Sequence, residues 1–198
     1  MATRLRAAQR RTQLLAVAVE VFAERGFHAT SMDEIAEAAG VTKPVLYQHF
    51  PSKRALYLEL LDDVDDQLVN RLVEATGGAP TGRERVQLGF AAYFKFVAEH
   101  RAAFRLLFGA SVRNDSEFAE VADRAIERIA DLIADLIDID VPTLHRHALA
   151  HAIVGMAEAT SRRLASDEGE ADPEQLAQWL AELAWFGLRG VRGDDTSH

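Results

Sequence analysis

The groups best suited to chemistry in this 198-residue chain lie close together, in Thr42-Lys43-Pro44-Val45-Leu46-Tyr47-Gln48-His49 and at Lys53. Lys43 offers a charge to a phosphate or a guanine edge, and Pro44 an apolar contact for a thymine methyl. Tyr47 and His49 can donate to phosphates. Lys53 stands at a predicted helix N-terminus, where free backbone N–H groups already favour a phosphate. Such a set suits a helix that reads DNA. A solvated polar helix with one lysine has a similar composition, so residue types alone leave both readings open.

Two other clusters invite chemistry and support it less. His147 and His151 stand at i, i+4, a spacing that can chelate a metal on one helix face. No acidic or cysteine ligand is paired with them in the sequence, so they read as interface or cavity histidines. Asp62-Asp63-Val64-Asp65-Asp66 places Asp62 and Asp66 on one face and reads as a solvated charge run. The chain contains no HExxH, no Glu-x-x-His pair, no glycine-rich phosphate loop and no GxSxG elbow. No catalytic residue, cofactor or metal is therefore expected.

The elements that must hold these groups are helical. All five prolines fall where helices begin or separate, and no β-branched alternation marks a strand. The expected fold is all-α, with about nine helices. A first helix over 10–25 carries Leu14, Leu15, Ala18, Val21 and Phe22 at helical spacing, closed by Gly26. Ser31-Met-Asp-Glu34 is a capping box for a short second helix ending before Gly40. Gly40 supplies the positive φ for a tight turn, and Thr42 caps a third helix that ends at about His49. That helix is roughly 10 Å long, a size that a major groove about 12 Å wide admits. Val45, Leu46 and Phe50 face inward with Phe22, Phe27 and Ile35. Ser52 opens a long helix from Lys53 to about Glu74, and residues 76–82 form the clearest linker. Further helices are predicted over 83–99, 101–112, 116–138, 142–166 and 173–189, the last opened by the box Asp172-Pro-Glu-Gln175.

Composition sets the class. The chain is 48% hydrophobic, enough for a real core, and has no cysteine, which suits a reducing compartment. No apolar run reaches the roughly 18–20 residues of a membrane span, and the expected location is cytoplasmic. The net charge of −9 is unevenly spread: residues 1–54 hold eight Lys/Arg against five Asp/Glu, and residues 55–198 fourteen against twenty-six. A basic head on an acidic body, with Arg4, Arg6, Arg10 and Arg11 leading, suits a protein that meets nucleic acid through one end.

Over residues 14–56 the chain resembles the DNA-binding head of the TetR family of bacterial transcriptional regulators. The resemblance is carried by Leu14-Leu15, Val21-Phe22, Gly26-Phe27, Thr30-Ser31, Ile35-Ala36, Ala39-Gly40-Val41-Thr42, Leu46-Tyr47, His49-Phe50 and Ser52-Lys53. It implies a helix-turn-helix head over 1–52, an effector-binding and dimerisation domain over 53–198, and a recognition helix from Thr42 to His49. Thr30, Thr42, Tyr47, His49 and Lys53 match positions that grip the DNA backbone. Lys43, Pro44 and Gln48 match positions of base contact, and Ser31 is grouped with the DNA-binding set. The leading arginines match an arm that some relatives lay along the minor groove. The expected partner is a palindromic double-stranded operator, bound by a homodimer, with no membrane involved.

In the body, Phe90, Tyr93, Phe94, Phe104, Phe108 and Phe118 recur on predicted helical faces. An ordinary core reads the same way. The resemblance implies an effector cavity here, with Phe90, Tyr93, Phe94, Arg105, Phe108, Phe118 and Met156 as candidate lining residues. Asn114 and Glu158 are further polar anchors. The last two helices are apolar on more than one side, and Ala148, Ala152, Gly155 and Ala159 permit close helix approach. The resemblance implies that, with His151, Leu176, Leu180 and Leu183, they form the dimer seam. The resemblance implies a repressor modulated by an apolar small molecule. The stretches KPVLYQHFPSK, Phe104-Arg-Leu-Leu-Phe108 and Trp185-Phe-Gly-Leu188 are similar to actinobacterial TetR-like regulators of fatty-acid synthesis, which respond to acyl chains and some of which activate. Three lysines against nineteen arginines suit a GC-rich genome. An activator of lipid metabolism responding to fatty acyl effectors, and a helical interaction scaffold without DNA binding, are the alternatives.

Overall fold

The computed structural model describes residues 7–108, 112, 114–165 and 172–190, and the description below concerns these. Among them are nine α-helices and no strand: α1 (Ala7–Ala29), α2 (Met32–Ala38), α3 (Lys43–His49), α4 (Lys53–Gly77), α5 (Gly82–Glu99), α6 (Arg101–Phe108), α7 (Ser116–Leu136), α8 (Thr143–Leu164) and α9 (Pro173–Gly190). Two compact units emerge. The first contains residues up to Asp65 with Ala102–Ala122; the second contains Asp66–Arg101 with residues from Asp123 onward.

Local signals set the short helices of the first unit. Gly26 has φ 79°, which breaks the helical run of α1 where the sequence places a cap. At α2 the capping box is complete: the Ser31 hydroxyl accepts from the Glu34 N–H, and the Glu34 carboxylate accepts from the Ser31 N–H at 2.7 Å. These hydrogen bonds from Ser31, main chain first, hold the Glu34 carboxyl below its ordinary value. Gly40 adopts φ 64°, and the Val41 N–H returns to the Ala36 carbonyl at 2.9 Å, closing α2 in the few residues before α3. Thr42 caps α3 through its main chain rather than its hydroxyl, its carbonyl accepting from Val45 and Leu46. The core beneath contains Leu14, Leu15, Phe22, Ile35, Leu46 and Phe50, all buried. Phe22, Phe27, Tyr57 and Phe118 form an aromatic cluster with edge or tilted contacts 4.6–5.0 Å apart along the chain Phe22–Tyr57–Phe118 and Phe27–Phe118. Burial pushes the Tyr57 phenol up to about 12.

In the second unit, α5 packs against α9 and α8, and α8 against α9. Thr81 caps α5 by accepting from the Glu84 N–H. Several element bounds differ from the sequence reading: the first helix, expected over 10–25, covers Ala7–Ala29 with Gly26 non-helical inside it. The helix expected to end at about Glu74 continues through Thr76, whose hydroxyl donates back to the Leu72 carbonyl at 2.8 Å, to Gly77. The helix expected over 101–112 is described as far as Phe108; residues 109–111 and 113 lie outside the described set.

Candidate DNA-binding head and effector cavity

In the first unit, α3 presents two contrasting sides. Leu46 is fully buried, while Thr42, Lys43, Pro44, Tyr47 and Gln48 are exposed and His49 is half-buried. The exposed set is confined to one helix only seven residues long, a geometry that a major groove accepts. Lys43 is ion-paired with Asp33 of α2 at 2.8 Å, and the hydrogen bond to that carboxylate raises the lysine above its usual value. Both side chains remain largely exposed, so water and DNA phosphates can compete for the pair.

Three other residues of the predicted DNA-binding set are engaged inside the head. Thr30 is buried, its hydroxyl donating to the Gly26 carbonyl at 2.8 Å. Ser31 caps α2. Lys53 donates from Nζ to the carbonyls of Phe27 and Thr30, both at 2.7 Å, and of His28 at 3.3 Å, and lies over the Phe27 ring. It joins the end of α1 to the start of α4. Arg11 acts similarly: it pairs with Glu59, donates to the His49 carbonyl at 2.6 Å and covers Phe50. Arg11 thereby steadies the C-terminus of α3, a role its place among the leading arginines does not suggest. Arg4 and Arg6, the rest of the expected arm with Arg10, lie outside the described residues.

The second unit encloses a cavity of about 410 Å³, within the size range of small-molecule sites. Its walls come from the end of α4 (Leu72, Thr76), one face of α5 (Gly82, Arg85, Val86, Gly89, Phe90, Tyr93), α7 with the residues after it (Ile129 to Ile139), α8 (Ile153, Val154, Ala157) and α9 (Trp185, Leu188, Arg189). Glycine shapes one wall. A Cβ on Gly82 would lie 3.5 Å from the Trp185 ring, and one on Gly89 3.6 Å from the Thr76 methyl. Both are ordinary contacts, so a methyl would just fit at either position and a larger side chain would project into the cavity or press on the opposite wall. Tyr93 is buried beside Ser161, Glu158 and Arg162, and desolvation raises its phenol far above the usual range, leaving it a neutral hydroxyl.

Of the candidate lining residues, Phe90 and Tyr93 reach this cavity, while Phe94 and Met156 do not line it. Phe94 is fully buried against Phe90 and Tyr93. Arg105, Phe108 and Phe118 belong to the first unit, where Phe108 packs on Phe104 and Phe118 joins the Tyr57 cluster. Asn114 is exposed there, and Glu158 pairs with Arg162 at 2.6 Å. The sequence reading missed the aliphatic and glycine positions. Gly82 and Gly89, seven residues apart on one α5 face, were the available signal.

The expected seam residues divide. Ala148, Ala152, Gly155 and Ala159 are exposed along one side of α8, in line with Leu144, which is 84% exposed. On α9, Leu183 is exposed with Trp179 and Phe186, whereas Leu176 is buried in the unit's own core and Leu180 is half-buried. His147 and His151 each meet an acid that sequence spacing did not reveal: Asp131 at 3.5 Å and Glu127 at 3.4 Å, both on α7. Among the described residues no three His, Asp or Glu side chains converge on one point.

A helix-turn-helix presenting a polar exposed face, followed by helices around an apolar cavity, is the architecture of a ligand-responsive DNA-binding regulator. Residues 14–60 match the family described as "Bacterial regulatory proteins, tetR family", and residues 83–187 match "Tetracyclin repressor-like, C-terminal domain". The chain is 36% identical to the HTH-type transcriptional activator FasR of Mycolicibacterium smegmatis, over 92% of this chain and 84% of that one. It is 27% identical to the HTH-type transcriptional repressor KstR2 of the same organism, over 94% of each. A TetR-like transcriptional regulator from Rhodococcus sp. RHA1 superposes with a TM-score of 0.79 at 32% identity, covering 95% of this chain and all of that one. The chain belongs to the TetR family and is a ligand-responsive transcriptional regulator. Among the described residues no helix is long and apolar enough to cross a membrane.

Proposed function

We propose that this regulator acts in the cytoplasm as a homodimer that binds a palindromic operator through Thr42–His49 and is released from it by an apolar small molecule. Residues 1–52 form the DNA-binding head in this reading, and residues 53–198 bind the effector and dimerise. The observation that carries it is the exposed cluster of Lys43, Pro44, Tyr47 and Gln48 on a helix whose other side is buried. A homodimer is supported by the exposed apolar side chains Leu144 on α8 and Trp179, Leu183 and Phe186 on α9, with exposed small residues along α8. A dimer would set two recognition helices in successive major grooves, about one helical turn apart or a multiple of it. The cavity supports an effector, which must bind the two states of the regulator unequally to shift the operator equilibrium.

Selection from random DNA with the purified protein tests this reading. The expected product is an inverted repeat whose binding collapses as salt rises. Lys43→Ala and Tyr47→Ala should each weaken it. Unchanged affinity in both variants would remove α3 as the reading helix.

Activation is a second reading, favoured by the 36% identity to a transcriptional activator. A fatty acyl effector fits the aliphatic cavity walls equally well. Native mass spectrometry of fresh protein tests the latter: an adduct released on denaturation as an acyl species supports it, and a clean dimer counts against it.

A further inference from the structure

The cavity of the second unit has an aliphatic interior but a charged lining on α5 and α9. Arg85 is half-buried there; its main-chain N–H donates to the Thr81 carbonyl, and its guanidinium makes no hydrogen bond or ion pair with the described residues. Arg189 lies over the Trp185 ring at 6.0 Å, a contact that holds a cation without neutralising it. Asp138, exposed two residues beyond the end of α7, is the one acid among the lining residues. Elsewhere this half of the chain is strongly acidic, so two arginines facing an apolar space are a local reversal of its field. A guanidinium part-way out of water beside hydrocarbon is destabilised until an anion completes its hydrogen bonds.

We propose that the effector is an anionic amphiphile: its carboxylate binds Arg85 with Arg189 alongside, and its alkyl body fills the space between Ile129, Ile133 and Ile153. The inference rests on the effector reading of the cavity and adds which end of the ligand is charged and what holds it. A guanidinium matches a carboxylate with two parallel N–H···O bonds, which gives the ligand an orientation as well as affinity. Asp138 opposes the anion and limits how tightly it is held.

Calorimetric titration of the full chain with three molecules of equal tail separates the possibilities: decanoate, decan-1-ol and decyltrimethylammonium. Decanoate is expected to bind about tenfold tighter than the alcohol, the scale of a charge-assisted hydrogen bond, and the cation weakest of all. Arg85→Gln should lower decanoate to the level of the alcohol while leaving alcohol binding unchanged. Arg85→Lys should restore part of the preference, and Asp138→Asn should tighten decanoate alone. Circular dichroism of each variant establishes that it is folded. Equal binding of acid and alcohol, or a preference that survives Arg85→Gln, would overturn the anionic head while leaving the cavity as the effector site. Failure of all three to bind would overturn both.

Discussion

The head is fixed by directional contacts at named atoms, whereas the second unit is fixed by aliphatic packing around a space. In the head, Lys53 reaches three carbonyls, Arg11 ties Glu59 to the His49 carbonyl, and Ser31 and Glu34 satisfy each other. Around the cavity the walls are mostly aliphatic, with Phe90, Tyr93 and Trp185 among them and two glycines on α5. Hydrogen bonds depend steeply on angle and distance, and packing is tolerant of volume-conserving change. The difference suits the two tasks. In the proposed function a reading helix must arrive at DNA in one orientation, and a pocket must accept a guest.

The sharpest way to break this comparison is to shorten one side chain in each region. Phe22→Ala deletes a fully buried ring from the aromatic cluster and should cost about 3–5 kcal/mol in denaturant titration. Ile133→Val shortens a side chain that already faces open space, so its cost should fall near the low end of the usual range of about 0.5–1.5 kcal/mol. Equal losses would mean the cavity walls are as tightly specified as the head.

The two head lysines sharpen it further. Lys43→Ala should leave stability unchanged, weaken operator binding uniformly and lower the salt slope by about one. Lys53→Met should do the reverse to stability, costing about 1–3 kcal/mol because three carbonyls lose their donor. Its effect on DNA binding should follow from loosened head geometry. Asp33→Asn releases Lys43 and removes a carboxylate from the DNA side, so operator affinity should rise several-fold at low salt and less at high salt.

Gly89→Leu tests the cavity as a guest site. It should fill the space beside Thr76 and Phe90, abolish ligand-induced release and leave ligand-free operator binding intact in gel-shift titration. The smallest effect belongs to Glu34. Its carboxyl is held below the ordinary 4.5, so its contribution is present above that pH and is lost as pH falls through the lower folded value. The melting difference between wild type and Glu34→Gln should therefore be constant near neutrality and vanish in acid.

These contrasts explain what was legible in the sequence. The capping box, the positive φ at Gly40 and the break at Gly26 are local events encoded within four or five residues, and the structure has each of them where it was expected. The engagement of Thr30 and Lys53 with main-chain carbonyls was not legible, because a hydroxyl or ammonium has the same appearance whether it meets a phosphate or a carbonyl. The cavity was legible only in outline. Phe94, Phe108 and Phe118 are bulky and periodic and fill packed interiors, while the open volume is bordered by aliphatic residues from five helices that no single stretch of sequence brings together. The carboxylates facing His147 and His151 were hidden for the same reason, since they lie on a different helix.

The placing of Trp185 has a practical consequence. The chain has two tryptophans, one in the cavity wall against Gly82 and the other, Trp179, exposed by 55% on the face assigned to self-association. An indole reports the polarity of its surroundings through the colour of its emission, so Trp179→Phe and Trp185→Phe each leave one intrinsic reporter, of the cavity and of the exposed face respectively. A guest entering the cavity should change the light from Trp185, and pairing of two copies should shift that of Trp179 toward the blue. Occupancy and assembly can thus be followed in parallel samples of the two variants, and the order in which they occur can be timed.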